Sequence, residues 1–270
     1  MDLLKYTFMQ NAFISGILLS IITGIISFFI VNKNLSFLGV GLSHIAFGGI
    51  AVGIFFRINP ILASLIFSLS AASIIGKLSL SYKIKEDASI GIFFSFSMAL
   101  GIVFIYLKQG YSTDIFSYLF GSILTITKSD IIFLSIIFLL VVSIITIFFK
   151  TFIIMIFDPD YGKILGLKIN LFYYILLYLI TLIIISILKI TGTVLIAGLL
   201  VLPGTTSYII SKNHIQHILL SILFAFIFTF SGLIISFYLN IPSGPTIVIT
   251  GVLILFIIMG LKKIKLLISR

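Results

Sequence analysis

The chain contains no cysteine, which excludes disulfide cross-links and thiolate metal centres together. Carboxylates are almost as scarce, with seven Asp and Glu side chains in 270 residues. Charged residues of both signs make up 9% of the composition, against about 25% in a soluble globular domain. The pattern G-x-x-x-x-G-K-[ST] is missing, so the chain cannot cradle nucleotide phosphates in the P-loop manner. H-E-x-x-H and G-x-S-x-G are missing too, which weakens an intramembrane hydrolase reading. No soluble domain, low-complexity segment or internal repeat stands out.

What the chain has is hydrophobicity. Apolar residues make up 61% of it, and the mean hydropathy is +1.37. These values define an all-α polytopic membrane protein, because a helix needs about 20 apolar residues to cross a bilayer core. The charges punctuate long uncharged runs at 6–32, 34–56, 58–76, 88–107, 131–149, 169–188, 190–211 and 213–261. The last run is long enough for two crossings, and the turn-forming "YLNIPSGP" at 238–245 divides it. Nine spans are therefore predicted near 11–31, 37–56, 60–80, 88–107, 131–149, 171–188, 193–210, 217–238 and 245–261; eight remain an alternative. The first run is too long for a typical signal peptide and is read as a helix. Residues 115–127 are too short to cross and are expected to form a short helix or re-entrant element at one surface. The whole of 1–270 reads as one transmembrane domain.

The basic residues set the orientation. With nine spans, twelve Lys and Arg residues share one side and five share the other. The N-terminus is thus expected outside and the C-terminus in the cytoplasm of a cell membrane. The net charge of +10 reads as topology and contact with anionic lipid, with no nucleic-acid partner.

All seven acids (Asp2, Glu86, Asp87, Asp114, Asp130, Asp158 and Asp160) fall outside the predicted spans. Ion-coupled carriers usually keep a carboxylate or histidine chain within the membrane, and here only His44 is available. A self-powered carrier is disfavoured, so driven transport would take its energy from another subunit. In "IFDPDYGKILGLKIN", Asp158 suits an N-cap, Pro159 the first helical position and Gly166 a helix terminus. A short helix over about 159–165 beside the membrane is expected there.

His44 lies in "GVGLSHIAFGG", with no other ionisable residue from Asn34 to Phe56. Neutral imidazole suits zinc and accepts manganese, and a polar group inside a membrane tends to face a bundle interior or aqueous path. Gly39, Gly41, Ala46, Gly48 and Gly49 around it read first as close-packing residues. Ser43, Ser95, Ser97, Thr205 and Thr206 could line a pathway, but their hydroxyls are expected to bond their own helices. Pro203 with Gly204 marks a kink or hinge. His214 and His217, at helical spacing in "SKNHIQH", read as a solvated face of a cytoplasmic connection.

Six segments together resemble the permease subunits of zinc/manganese ABC importers. They are "LSFLGVGLSHIAFGGIAVG" (35–53), "EDASIGIFFSFSMALGIVFI" (86–105), "DIFSYLFGSILTITKSDI" (114–131), "FDPDYGKILGLKIN" (157–170), "GTVLIAGLLVLPGTTSYIIS" (192–211) and "IPSGPTIVI" (241–249). The resemblance implies the vitamin-importer permease architecture, a second copy of the chain, cytoplasmic ABC ATPases and an extracytoplasmic metal-binding protein. It implies a divalent metal as substrate, with no stably bound cofactor and no enzymatic activity of the chain itself. It makes 157–170 the coupling segment for the ATPase, with Asp158, Pro159, Asp160 and Gly166 shaping it. Many relatives carry D-x-L-S-H at the histidine, whereas Val40 stands at the acidic position here. His44 alone is carried over, as a transient metal contact. Loss of the hard oxygen ligand tilts the expected cargo slightly from manganese toward zinc. A secondary carrier or channel for a cation, and a membrane assembly protein without transport, are the alternatives.

Overall fold

The structure, a computed structural model, describes residues 6–108 and 126–268, and every regular element among them is an α-helix. In chain order these are α1 (Thr7–Asn32), α2 (Ser36–Phe55), α3 (Pro60–Tyr82), α4 (Glu86–Leu107), α5 (Lys128–Ile147), α6 (Phe149–Phe157) and α7 (Pro159–Ile164). They continue with α8 (Ile169–Leu188), α9 (Thr191–Ile210), α10 (His214–Leu239) and α11 (Ser243–Ile268). Nine of them, all but α6 and α7, are long and apolar enough to cross a membrane, and each overlaps one predicted span.

α3 begins at Pro60 as predicted, while α5 and α10 begin three residues before their predicted spans, and polar caps mark all three starts. Asn59 caps α3 ahead of Pro60, accepting from the Ile61 and Leu62 amides. Thr127 and Asp130 form a reciprocal capping box on α5. Asn213 caps α10 by accepting from the Gln216 amide at 2.8 Å. Glu86, Asp87 and Asp130 accordingly sit in the first turns of α4 and α5. The expected surface element over 115–127 falls almost wholly outside the described residues; only Ile126 and Thr127 are described, ahead of α5.

α8 and α9 are separated by a break at Gly192, where φ is 69° and ψ 168°, a conformation open to glycine. The chain folds back there. A straight helix would place Phe172 and Tyr208 about 54 Å apart, yet a run of touching rings through Phe152, Phe29, Phe28 and His217 joins them, with every centroid step 5.6 Å or less. The same logic sorts the helix ends. Gly76 on α3 meets Tyr174 on α8, Gly24 on α1 meets Ile222 on α10, and Gly232 on α10 meets Ile247 on α11. The bundle thus alternates direction, with the start of α1 and the end of α11 at opposite ends.

α1, α2, α8 and α9 supply most of the buried core, including the fully buried Leu19, Ile26, Phe28, Leu38, Ile45, Ile180, Ile184 and Leu200. α4, α5 and α11 carry exposed apolar rows such as Ile92, Phe96 and Ile102, or Leu253, Phe256 and Ile257. In a bilayer these rows face lipid tails or another apolar subunit surface.

Candidate transport pathway and coupling element

The glycines around His44 are packing surfaces. A methyl group added at Gly48 would lie 2.6 Å from the Ser97 carbonyl oxygen on α4, and one at Gly49 would lie 2.7 Å from the Ser64 Cα on α3. Gly39 backs onto Leu200 of α9 and Gly41 onto Ile90 of α4. Ser64 reinforces the contact with α3 by donating to the Ala46 carbonyl at 2.9 Å. α2 is therefore gripped on three sides, and His44 is held at the α4 side, its ring edge-on to Phe94 with centroids 5.0 Å apart.

The half-buried His44 side chain keeps one nitrogen out of any bond: Nδ1 is buried without a hydrogen-bond partner. Val40, one turn earlier, offers it nothing polar. Among the described residues no three His, Cys, Asp or Glu side chains gather closely enough to hold a metal ion. The arrangement is a single imidazole in a tight contact between α2 and α4.

The hydroxyls mostly bond locally, as expected. Ser43 donates to the Val40 carbonyl at 2.8 Å, Thr205 to Val201 at 2.9 Å and Thr206 to Leu202 at 2.7 Å. Ser95 is exposed on α4. Ser97 departs from that expectation, since its buried hydroxyl has no partner.

Pro203 lies inside α9, and the residue after it is tied on both sides. The Gly204 amide donates to Ser27 Oγ of α1 at 2.7 Å, and its carbonyl lies 2.9 Å from His217 Nε2 of α10. A side chain on Gly204 would strike the Ser27 carbonyl. His217 is consequently not part of a solvated face: it is 3% exposed. The expectation failed because α10 starts at His214, so His217 already points inward from the first turn, whereas His214 is exposed.

The segment over 157–170 folds as its residues indicate. The Asp158 carboxylate accepts from the Tyr161 amide at 2.9 Å, Pro159 opens α7, and Gly166 ends the turn with a φ of 75°. Asp160 and Lys163 pair at 2.8 Å on the exposed side, and that hydrogen bond and charge hold the Asp160 carboxyl below its ordinary range. Gly162 lets α7 lie against Ile154 of α6 and Ile169 of α8. Tyr161, Ile164 and Leu165 remain exposed, an apolar patch on a short charged helix.

Residues 5–262 match the family described as the ABC 3 transport family. The chain belongs to that family. It is 33% identical to the manganese transport system membrane protein MntC of Listeria innocua over 94% of this chain and 91% of that protein. It is 34% identical to the manganese import system permease protein ScaB of Streptococcus gordonii, over 93% and 90% of the two chains. Among solved structures, PsaBC from Streptococcus pneumoniae in complex with Fab superposes with a TM-score of 0.83 at 32% identity, covering 95% of this chain and 92% of that one. An inward-facing putative metal-chelate type ABC transporter shares the fold, with a TM-score of 0.72 at 16% identity over 90% and 84% of the chains. The chain is a multi-pass membrane protein of a transport family.

Proposed function

We propose that this chain is the transmembrane permease of a binding-protein-dependent importer for a divalent metal ion, powered by a separate cytoplasmic ATPase. The observation that carries this reading is the capped helix α7, with its apolar tip of Tyr161, Ile164 and Leu165 exposed, in a chain without a P-loop. A helix of this kind fits a groove on a motor subunit. The relatives named as permease and membrane proteins of manganese transport systems support the same assignment. A second copy of the chain, the extracytoplasmic binding protein, an external N-terminus and a cytoplasmic C-terminus complete the proposal. The positive-inside count supports the orientation.

The relatives' names favour manganese as cargo. Zinc is the second reading, favoured by one observation: His44 offers nitrogen with Val40 where a hard oxygen ligand would otherwise stand. Reconstitution into vesicles with the ATPase and the metal-binding protein, followed by ATP-dependent uptake of each ion, tests both. ATP-independent uptake would favour a carrier or channel, and an absence of any uptake would leave an assembly role.

A further inference from the structure

His217 has both ring nitrogens engaged by other helices. Its Nε2 lies 2.9 Å from the Gly204 carbonyl, which can only accept, so that nitrogen carries the hydrogen. Nδ1 is then the acceptor for Asn32 Nδ2 of α1 at 3.2 Å, and the second hydrogen of that amide goes to the Phe28 carbonyl at 2.8 Å. Both ring nitrogens are matched in the neutral imidazole with its hydrogen on Nε2. Ser207 Oγ also donates to the Gly204 carbonyl, at 2.9 Å, and shares a 2.7 Å bond with Ser221 Oγ of α10. The backbone just after Pro203 is therefore pinned by α1 and α10 at once. A proline kink can act as a hinge only if such ties move with it.

The same histidine lies on a line of packed rings that passes through α6, the helix leading into α7. Phe152 of α6 meets Phe29 of α1 at 5.6 Å, Phe29 meets Phe28 at 5.1 Å, and Phe28 meets His217 edge-on at 4.9 Å. Phe28, Phe29 and Phe152 are all fully buried. Interiors this closely packed transmit displacement and do not absorb it. α6 runs directly into α7 through Asp158. An open cleft lined in part by Phe157, Asn32, Tyr208 and His217 lies alongside.

We propose that His217 is a positioning residue that conveys movement of the coupling segment, through Phe152, Phe29 and Phe28, to the kink at Pro203 and Gly204. This rests on the permease reading above and names the route by which the motor's stroke reaches the bundle. A merely structural role would change stability and leave coupling intact, so the test reads coupling. In vesicles holding the whole complex, the measured quantity is metal transported per ATP hydrolysed, with melting temperature and subunit recovery recorded for each variant.

His217→Leu and Asn32→Leu should lower the ratio about two- to thirtyfold, the range by which residues between coupled sites modulate coupling. His217→Gln keeps an amide donor for Gly204 and an oxygen for Asn32, and should restore most of it. Phe28→Leu combined with His217→Leu should be no worse than the poorer single variant, as expected for one shared route. Phe256→Leu, exposed on α11, serves as the control with an unchanged ratio. If His217→Leu fails to assemble, Asn32→Ser and Phe28→Leu carry the same comparison. A wild-type ratio in these variants, or His217→Gln failing as badly as His217→Leu, overturns the proposal while leaving the permease assignment standing. A wild-type complex that moves no metal overturns the permease assignment itself.

Discussion

Replacing Gly48 by alanine asks whether the seam between α2 and α4 is as close as the geometry indicates. The new methyl would sit 2.6 Å from the Ser97 carbonyl oxygen and 3.0 Å from its Cβ, where ordinary contact begins near 3.4 Å. The neighbour is backbone, so relief requires the two helices to part by most of an ångström. Overpacking of this kind costs about 1–3 kcal/mol, and alanine's better helix propensity returns up to about 1 kcal/mol. With the full propensity return the net loss is about 0–2 kcal/mol, against a gain where no clash exists. Gly91→Ala on α4 isolates the second effect, because nothing lies within 4 Å of an added methyl there; it should stabilise by up to about 1 kcal/mol. Gly48 stands one turn from His44, so separating the seam also withdraws Phe94 from the imidazole and should reduce metal uptake. Thermal unfolding of the purified permease, paired with uptake in vesicles, reads both effects. The reasoning fails if Gly48→Ala is as stable as Gly91→Ala.

His44→Ala should reduce ATP-dependent metal uptake while assembly and ATP hydrolysis persist; normal uptake at normal abundance would make His44 a packing residue. Val40→Asp should place a carboxylate one turn from the imidazole, tightening metal binding and slowing release, as measured by equilibrium binding and single-turnover uptake. Asp158→Ala removes the cap on α7, which should destabilise that helix by about 1 kcal/mol and lower transport per ATP without changing the melting temperature of the bundle. Lys163→Cys, in a chain with no native thiol, should crosslink to the ATPase, and Gly166→Pro should uncouple hydrolysis from transport; crosslinks confined to Lys83–Asp87 would move the contact elsewhere. Single-cysteine labelling near the two ends should find the N-terminus outside and the C-terminus inside.

The nine membrane-length helices among the described residues were legible because a crossing needs a long apolar run whose backbone bonds are satisfied internally, and charges or turn residues interrupt such runs. Asp158, Pro159 and Gly166 were legible for a related reason: capping is local, so residue type and spacing specify it without tertiary context. His217 was misread because its partners, Asn32 and Gly204, are distant in sequence and lie on different helices. No periodicity in "SKNHIQH" indicates that α1 lies against it. The cap at Asn213 was the available signal, since it starts the helix early enough to turn His217 inward. Ser97 departs from the local rule at the tight seam with Gly48, where its hydroxyl is buried without a partner.

The two histidines within the bundle differ in their hydrogen bonding, and the roles proposed for them differ accordingly. His217 is saturated, with one nitrogen donating to Gly204 and the other accepting from Asn32, so any ligand would first have to break an existing bond. His44 leaves Nδ1 buried and unpaired, at a standing cost of about 1–3 kcal/mol. A metal ion in transit would recover that cost on arrival, while the missing carboxylate at Val40 keeps the gain small enough for the ion to leave. Geometry is held where the imidazole is satisfied, and passage is expected where it is not.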